Sequence, residues 1–150
     1  MIKDKLEKMK LMDEDIGLKP SFIKPVNNVI LEFNNIGVNK VPSQILDLYQ
    51  FTNGTKGITL SNILSIEEIG KMIQDENSEY ATTLKEIGKF EEFQKYCPFQ
   101  RTGMGGFYLF EKNSSNETIS TIDIDGENEI FDDYANLEDF LDWQIEMKEA

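Results

Sequence analysis

Two acidic pairs, Asp123 with Asp125 and Asp132 with Asp133, are the first side chains here that could do chemistry. Two carboxylates held close together can exchange a proton with a substrate or share a magnesium ion. The stretch that contains them, Thr121 to Asp132 (TIDIDGENEIFD), resembles a calcium loop at Asp123, Asp125 and Gly126. It departs from that pattern where ligation is decided. Thr121 stands at the first aspartate position, Asp132 stands at the bidentate glutamate position, and strands rather than helices are expected on either side. A β-turn at Asp125-Gly126 is the expectation. With 28 acidic residues in 150, neighbouring carboxylates arise without design, and no nucleophile or basic clamp singles out a pair.

The chain has no histidine, which excludes imidazole as base, proton shuttle or metal ligand, and with it the serine triad and the cysteine–histidine pair. Cys97 has no second cysteine to pair with, so it reads as a small buried apolar group beside Pro98 and Phe99. The glycines of Thr102 to Gly106 (TGMGG) lack the Lys-Ser/Thr of a phosphate loop and precede a strand, which makes them a turn or bulge. No cofactor and no metal ligand set follows from these residues.

The elements that must position these groups are legible from periodicity. Ile2, Leu6, Met9 and Met12 recur at three and four residues, and Gly17 and Pro20 end that helix. A second helix is expected from near Pro25, with Val26, Val29, Ile30 and Phe33 inward and a stop at Asn34 to Gly37. A third starts after Pro42, buries Ile45, Leu46, Leu48 and Tyr49, and ends in a left-handed cap at Asn53-Gly54. Ile58, Leu60 and Ile63 suggest a short strand or irregular edge, and Ser65 with Glu68 forms a capping box that opens a helix to about Asp75. From Asn77 to Tyr96 the pattern fits two helical pieces or a helix and a strand.

After Pro98 the pattern becomes that of strands: Gly106 to Phe110, Thr118 to Ile124, and a return over Glu129 to Tyr134. If the connection has an odd number of residues, Ile130 shares a face with Ile122 and Ile124, leaving Asp123, Glu129, Phe131 and Asp133 on the other. A last helix is capped by Asn136, with Glu138 and Asp139 in its first turn. Leu137, Phe140, Leu141, Ile145 and Met147 face inward, and Trp143 sits at the rim. Helices, then antiparallel strands, then a helix make the chain α+β, one domain with an antiparallel β-sheet flanked by helices, and residues 1–38 form a helical extension of it.

Charge is unevenly placed. The whole chain carries −13, but Glu117 to Ala150 holds 12 acidic residues against one basic residue, Lys148. A chain with Arg101 as its only arginine is repelled by phosphate backbones and anionic lipid, so direct nucleic acid and membrane partners are poor fits and a basic protein a better one. Met1 to Met12 has no continuous apolar core, so neither a signal peptide nor a membrane span is expected there, and the cytoplasm is the expected compartment.

From Val41 onward the chain resembles the SUKH superfamily, named after the yeast Smi/Knr cell-wall regulators and populated in bacteria largely by immunity proteins of polymorphic toxin systems. VPSQILDLYQFTNG (41–54) is similar to the family's proline-initiated helix ending in Asn-Gly, and LSIEEIGKM (64–72) to its short acidic helix after the first strand. CPFQRTGMGGFYLFEKN (97–113) and TISTIDIDGENEIFDDYANLEDFLDW (118–143) are similar to its sheet and closing helix. Residues 77–96 are longer and more helical than the family pattern, and Tyr96-Cys97 stand where a tryptophan is common. The resemblance implies an α+β fold, no catalysis and function by protein binding.

The expected function is therefore an immunity protein that binds and neutralises a basic toxin domain, a nuclease being one candidate, through an acidic surface. Asp123, Glu129, Asp132 and Asp133 would supply the field, and Phe131, Tyr134 and Trp143 the anchors. The alternative of another class is a regulatory or scaffold module that binds an endogenous protein. A carboxylate-based metal hydrolase is the third, testable by calorimetric titration with magnesium, manganese and calcium. A homodimer through a sheet edge or the first helix is compatible with the sequence but not demanded by it.

Overall fold

The computed structural model describes residues 1–57, 62–123 and 128–150. Helix α1 (Ile2–Asp15) buries Ile2, Leu6 and Met9, as its spacing requires. It stops where Gly17 takes a positive φ and the amides of Gly17 and Leu18 turn back onto the carbonyls of Glu14 and Asp13. The same two-bond stop recurs at Gly37 after α2 and at Gly88 after α5.

Helix α2 (Val29–Asn35) starts four residues later than Pro25, because Asn28 is the residue whose side chain accepts the Leu31 amide (3.1 Å). Val29 and Phe33 are buried, while Ile30 is exposed rather than inward. Helix α3 (Ser43–Phe51) buries Ile45, Leu48 and Tyr49 and ends at Thr52, whose backbone is extended. The left-handed cap expected at Asn53-Gly54 is replaced by a tertiary junction. Asn53 Oδ1 accepts the Ile66 amide (2.9 Å), and a Cβ on Gly54 would lie 2.8 Å from the Ile63 carbonyl oxygen.

Strands β1 (Ser21–Phe22) and β2 (Thr55–Lys56) form a small antiparallel pair. Ile58 and Leu60, read as part of a short edge, lie outside the described residues, as does the Asp125-Gly126 turn; Ile63 makes an isolated bridge to Gln100. Helix α4 (Ile66–Ile73) opens on the Ser65–Glu68 capping box with both bonds made. Residues 77–96 resolve into α5 (Glu79–Glu86) and a 3-10 turn at Phe90–Glu92, so the two-helical-pieces alternative describes them.

The main sheet is antiparallel, in the order β3 (Tyr96–Arg101), β4 (Phe107–Glu111), β5 (Ile119–Ile122), β6 (Ile130–Tyr134). Cα partners alternate faces. Phe107, Leu109 and Ile122 lie on the side where Tyr80 of α5 meets Phe107 (ring centroids 5.8 Å). Tyr108, Phe110 and Ile119 lie on the opposite side, where Phe33 of α2 meets Phe110 at 6.3 Å and helix α6 (Leu137–Glu149) brings Phe140 within 4.6 Å of Tyr108. Covering both faces explains why most of β3 to β5 is buried. Gly106 has no room for a side chain: a Cβ there would sit 1.8 Å from the Ile122 carbonyl oxygen.

Helix α6 is capped by Asn136, which accepts the Asp139 amide at 2.8 Å. Met147, expected inward, is 53% exposed, and Gln144 is buried in the helix instead. Helix α1 packs on α6 and α3, pinned by a buried ion pair between Asp13 and Lys148 (2.8 Å) and a second pair between Lys5 and Asp142. One hydrophobic cluster runs from Ile2 to Ile145, so the architecture is α+β in one unit.

Candidate functional site

Five of the seven residues expected to meet a partner gather on or beside the α6 side of β5 and β6. Thr121 pairs with Phe131, which puts Phe131 on the face of Tyr108, and Phe131 remains 37% exposed. Tyr134 pairs with Ile119 on that same face, its ring 5.1 Å from Phe140 and 5.6 Å from Trp143. Trp143 is half-buried and stacks on Phe140 at 6.3 Å, at the rim of the helix stripe as its position predicts. Asp123, just past β5, is fixed in place: its Oδ1 accepts the Thr102 hydroxyl (2.9 Å), and Thr102 Oγ1 in turn accepts the amides of Met104 and Gly106. Asp133 is exposed.

The electrostatics agree with that grouping. Burial, the neighbouring Tyr108 and the Asp133 carboxylate push the Tyr134 hydroxyl up to about 12. Burial together with Asp123 and Asp133 also raises Tyr108. Both phenols therefore stay neutral donors across the physiological range. Tyr108 was not legible as a surface residue, because Phe107 to Phe110 is one unbroken apolar run with no alternation to mark an outer position.

The other two residues lie elsewhere. Asp132 is exposed but accepts the Ser120 hydroxyl (2.6 Å), and Ser120 shares the α5 side with Leu109 and Ile122. Alternation from Phe131 already sends Asp132 to that side; the register slip between Ile119 and Thr121, which gives β6 one residue more than β5, instead returns Tyr134 to the face of Phe131. Glu129, expected opposite Ile130, instead lines with it a shallow groove of about 320 Å³, together with Lys89, Glu92, Lys95 and Tyr96. The strand begins only at Ile130, so the alternation does not extend back to Glu129. Ile130 itself pairs with Ile122, as expected for an odd connection.

Chemically, the α6-side surface offers carboxylates, neutral phenols and exposed ring area. That set suits contact with a cationic protein surface, where aromatics anchor and carboxylates steer. Cys97 is fully buried, and burial pushes its thiol up to about 12, well away from a nucleophile's range. Among the described residues no group of three cysteine or carboxylate side chains is placed to hold a metal ion. No helix among them is long and apolar enough to cross a membrane.

Neither the curated proteins nor the solved structures contain a match to this chain. A family model does match, over residues 30–143, from the first turn of α2 to Trp143, and it takes in the whole four-stranded sheet and all seven candidate residues. The span contains the proline-initiated helix, the capping-box helix, the antiparallel sheet and the closing helix in the order read from the sequence, and the chain belongs to the SMI1 / KNR4 family (SUKH-1).

Proposed function

We propose that this chain is a non-catalytic immunity-type protein that works in the cytoplasm and neutralises a basic toxin domain by covering it with the acidic surface at β6 and α6. Membership of the family is consistent with a protein-binding role of that type. The observation that carries the reading is the juxtaposition of exposed Phe131 and half-buried Tyr108, Tyr134 and Trp143 on one sheet face, with Asp123 beside them and exposed Asp133 next to Tyr134. Residues 1–38 act as part of the same domain, since Ile2, Leu6 and Met9 belong to the cluster that holds the sheet.

Capture from a source-cell lysate with the purified chain as bait, washed at low and at moderate salt, tests the proposal. Recovery of a basic protein with a toxin-like domain, lost at higher salt, is the expected result. Recovery of an endogenous housekeeping protein would transfer the surface to a regulatory or scaffold role. Trp143 is the only tryptophan, so its fluorescence reports association directly. Asp133→Lys should slow that association at low salt by about tenfold or more, and an unchanged rate would remove electrostatic steering.

A further inference from the structure

We propose that the outer edge of β6 is a docking edge that takes a basic, extended segment of the partner as an added strand; this rests on the reading above and specifies how contact is made. The two edges of the main sheet differ. On β3 the Leu64 amide donates to the Phe99 carbonyl (2.8 Å) and Ile63 bridges Gln100, so that edge is occupied by the approach to α4. β6 pairs with β5 on one side, and among the described residues no backbone group bonds to its other side. An open edge presents unpaired amides and carbonyls that template another strand.

The carboxylates decide which strand. The register slip places Asp132 and Asp133 together opposite Ser120. Asp132 turns to the α5 side, where Ser120 donates to it, and the next residue, Asp133, is exposed and near enough for its charge to act on Tyr108 and Tyr134. An incoming strand presents successive side chains to opposite faces, so of two consecutive lysines or arginines one would lie on the face of Asp132 and the other on the face of Phe131 and Tyr134, with Asp133 between them in sequence. A second copy of this chain would bring its own Asp132 and Asp133 against these two, which disfavours a homodimer through this edge. A bulge and edge charges ordinarily keep strands from pairing without selection; here they reject neutral and acidic strands and admit a basic one.

Amide chemical shifts of the intact chain, titrated at low salt with synthetic peptides, test this. The probe is a valine–threonine peptide with a central Lys-Lys pair. Its controls are the Glu-Glu counterpart and a Lys-Lys peptide whose flanking residues are all proline, which keeps the charge but removes the ladder donors. The expected result is that only the first peptide shifts the amides of Ile130 to Tyr134, and that Asp133→Lys weakens it by about tenfold or more while other resonances stay in place. Equal binding of the proline peptide would overturn the proposal, because charge alone would then explain it. So would silence of the Lys-Lys peptide at millimolar concentration. If that silence coincided with capture of a basic toxin domain from lysate, the immunity reading would stand and the edge assignment would fall.

Discussion

The two outer strands of one sheet have opposite fates. β3, Tyr-Cys-Pro-Phe-Gln-Arg, is buried along almost its whole length, whereas β6, Ile-Phe-Asp-Asp-Tyr, is exposed at its three central residues. Both are sheet edges, so position in the sheet does not set exposure; what covers the strand does. The residues before α4 lie along β3, while α6 covers only one face of β6 and leaves its outer edge uncovered among the described residues. The covered edge carries structural side chains and the uncovered one carries charge.

The widest separation should appear on removing one phenylalanine from each strand. Phe99 is fully buried against Phe110 and Phe140, so Phe99→Ala should cost roughly 3–5 kcal/mol in chemical denaturation. Phe131→Ala should stay within roughly 1 kcal/mol. Equal losses would show that β6 is more deeply packed than its exposure suggests.

Alkaline titration probes β3 through Cys97. Its folded value lies near 12 against an ordinary 9.0, so between those values the unfolded chain releases a proton that the folded chain keeps. The contribution is fully present below about pH 9 and falls as pH rises, at roughly 1.4 kcal/mol per unit. Cys97→Ala should flatten that slope in denaturation midpoints just above pH 9, and an identical slope would show that the thiol titrates in the fold.

A smaller effect should follow Gly106→Ala, where the added carbon meets the Ile122 carbonyl; roughly 1–3 kcal/mol should be lost, read from the denaturant midpoint. Smallest of all, Asp133→Lys should leave stability within about 0.5 kcal/mol while altering partner association. A large stability loss there would make Asp133 a structural residue and close the contrast between the strands.

Local signals were read correctly because their causes are local. The Ser65–Glu68 box, the Asn136 cap and the stops at Gly17 and Gly37 each lie within one turn of the helix they govern. The candidate site was legible as a set of residue types, since five of its seven residues share a surface. Alternation already separated Asp132 from Phe131, but that Tyr134 joins the face of Phe131 was not legible, because it depends on how β6 registers against β5.

What lay beyond reach in the sequence is the work done across long separations. Pro42 has no side chain to cap α3, and the Glu117 carboxylate does so instead, accepting the amides of Ser43 (2.7 Å) and Gln44 (3.1 Å). Gln44 Oε1 then accepts the Glu138 amide at the start of α6 (2.8 Å), tying three elements together. Composition and periodicity alone determined helices α1 to α4 and α6, strands β4 to β6, the absence of imidazole chemistry and the concentration of charge after Glu117, because each depends on neighbours in sequence. Tertiary structure alone decided which edge stays uncovered and that Tyr134 joins the face of Phe131. Those follow from contacts between residues far apart in the chain, and no local pattern encodes them.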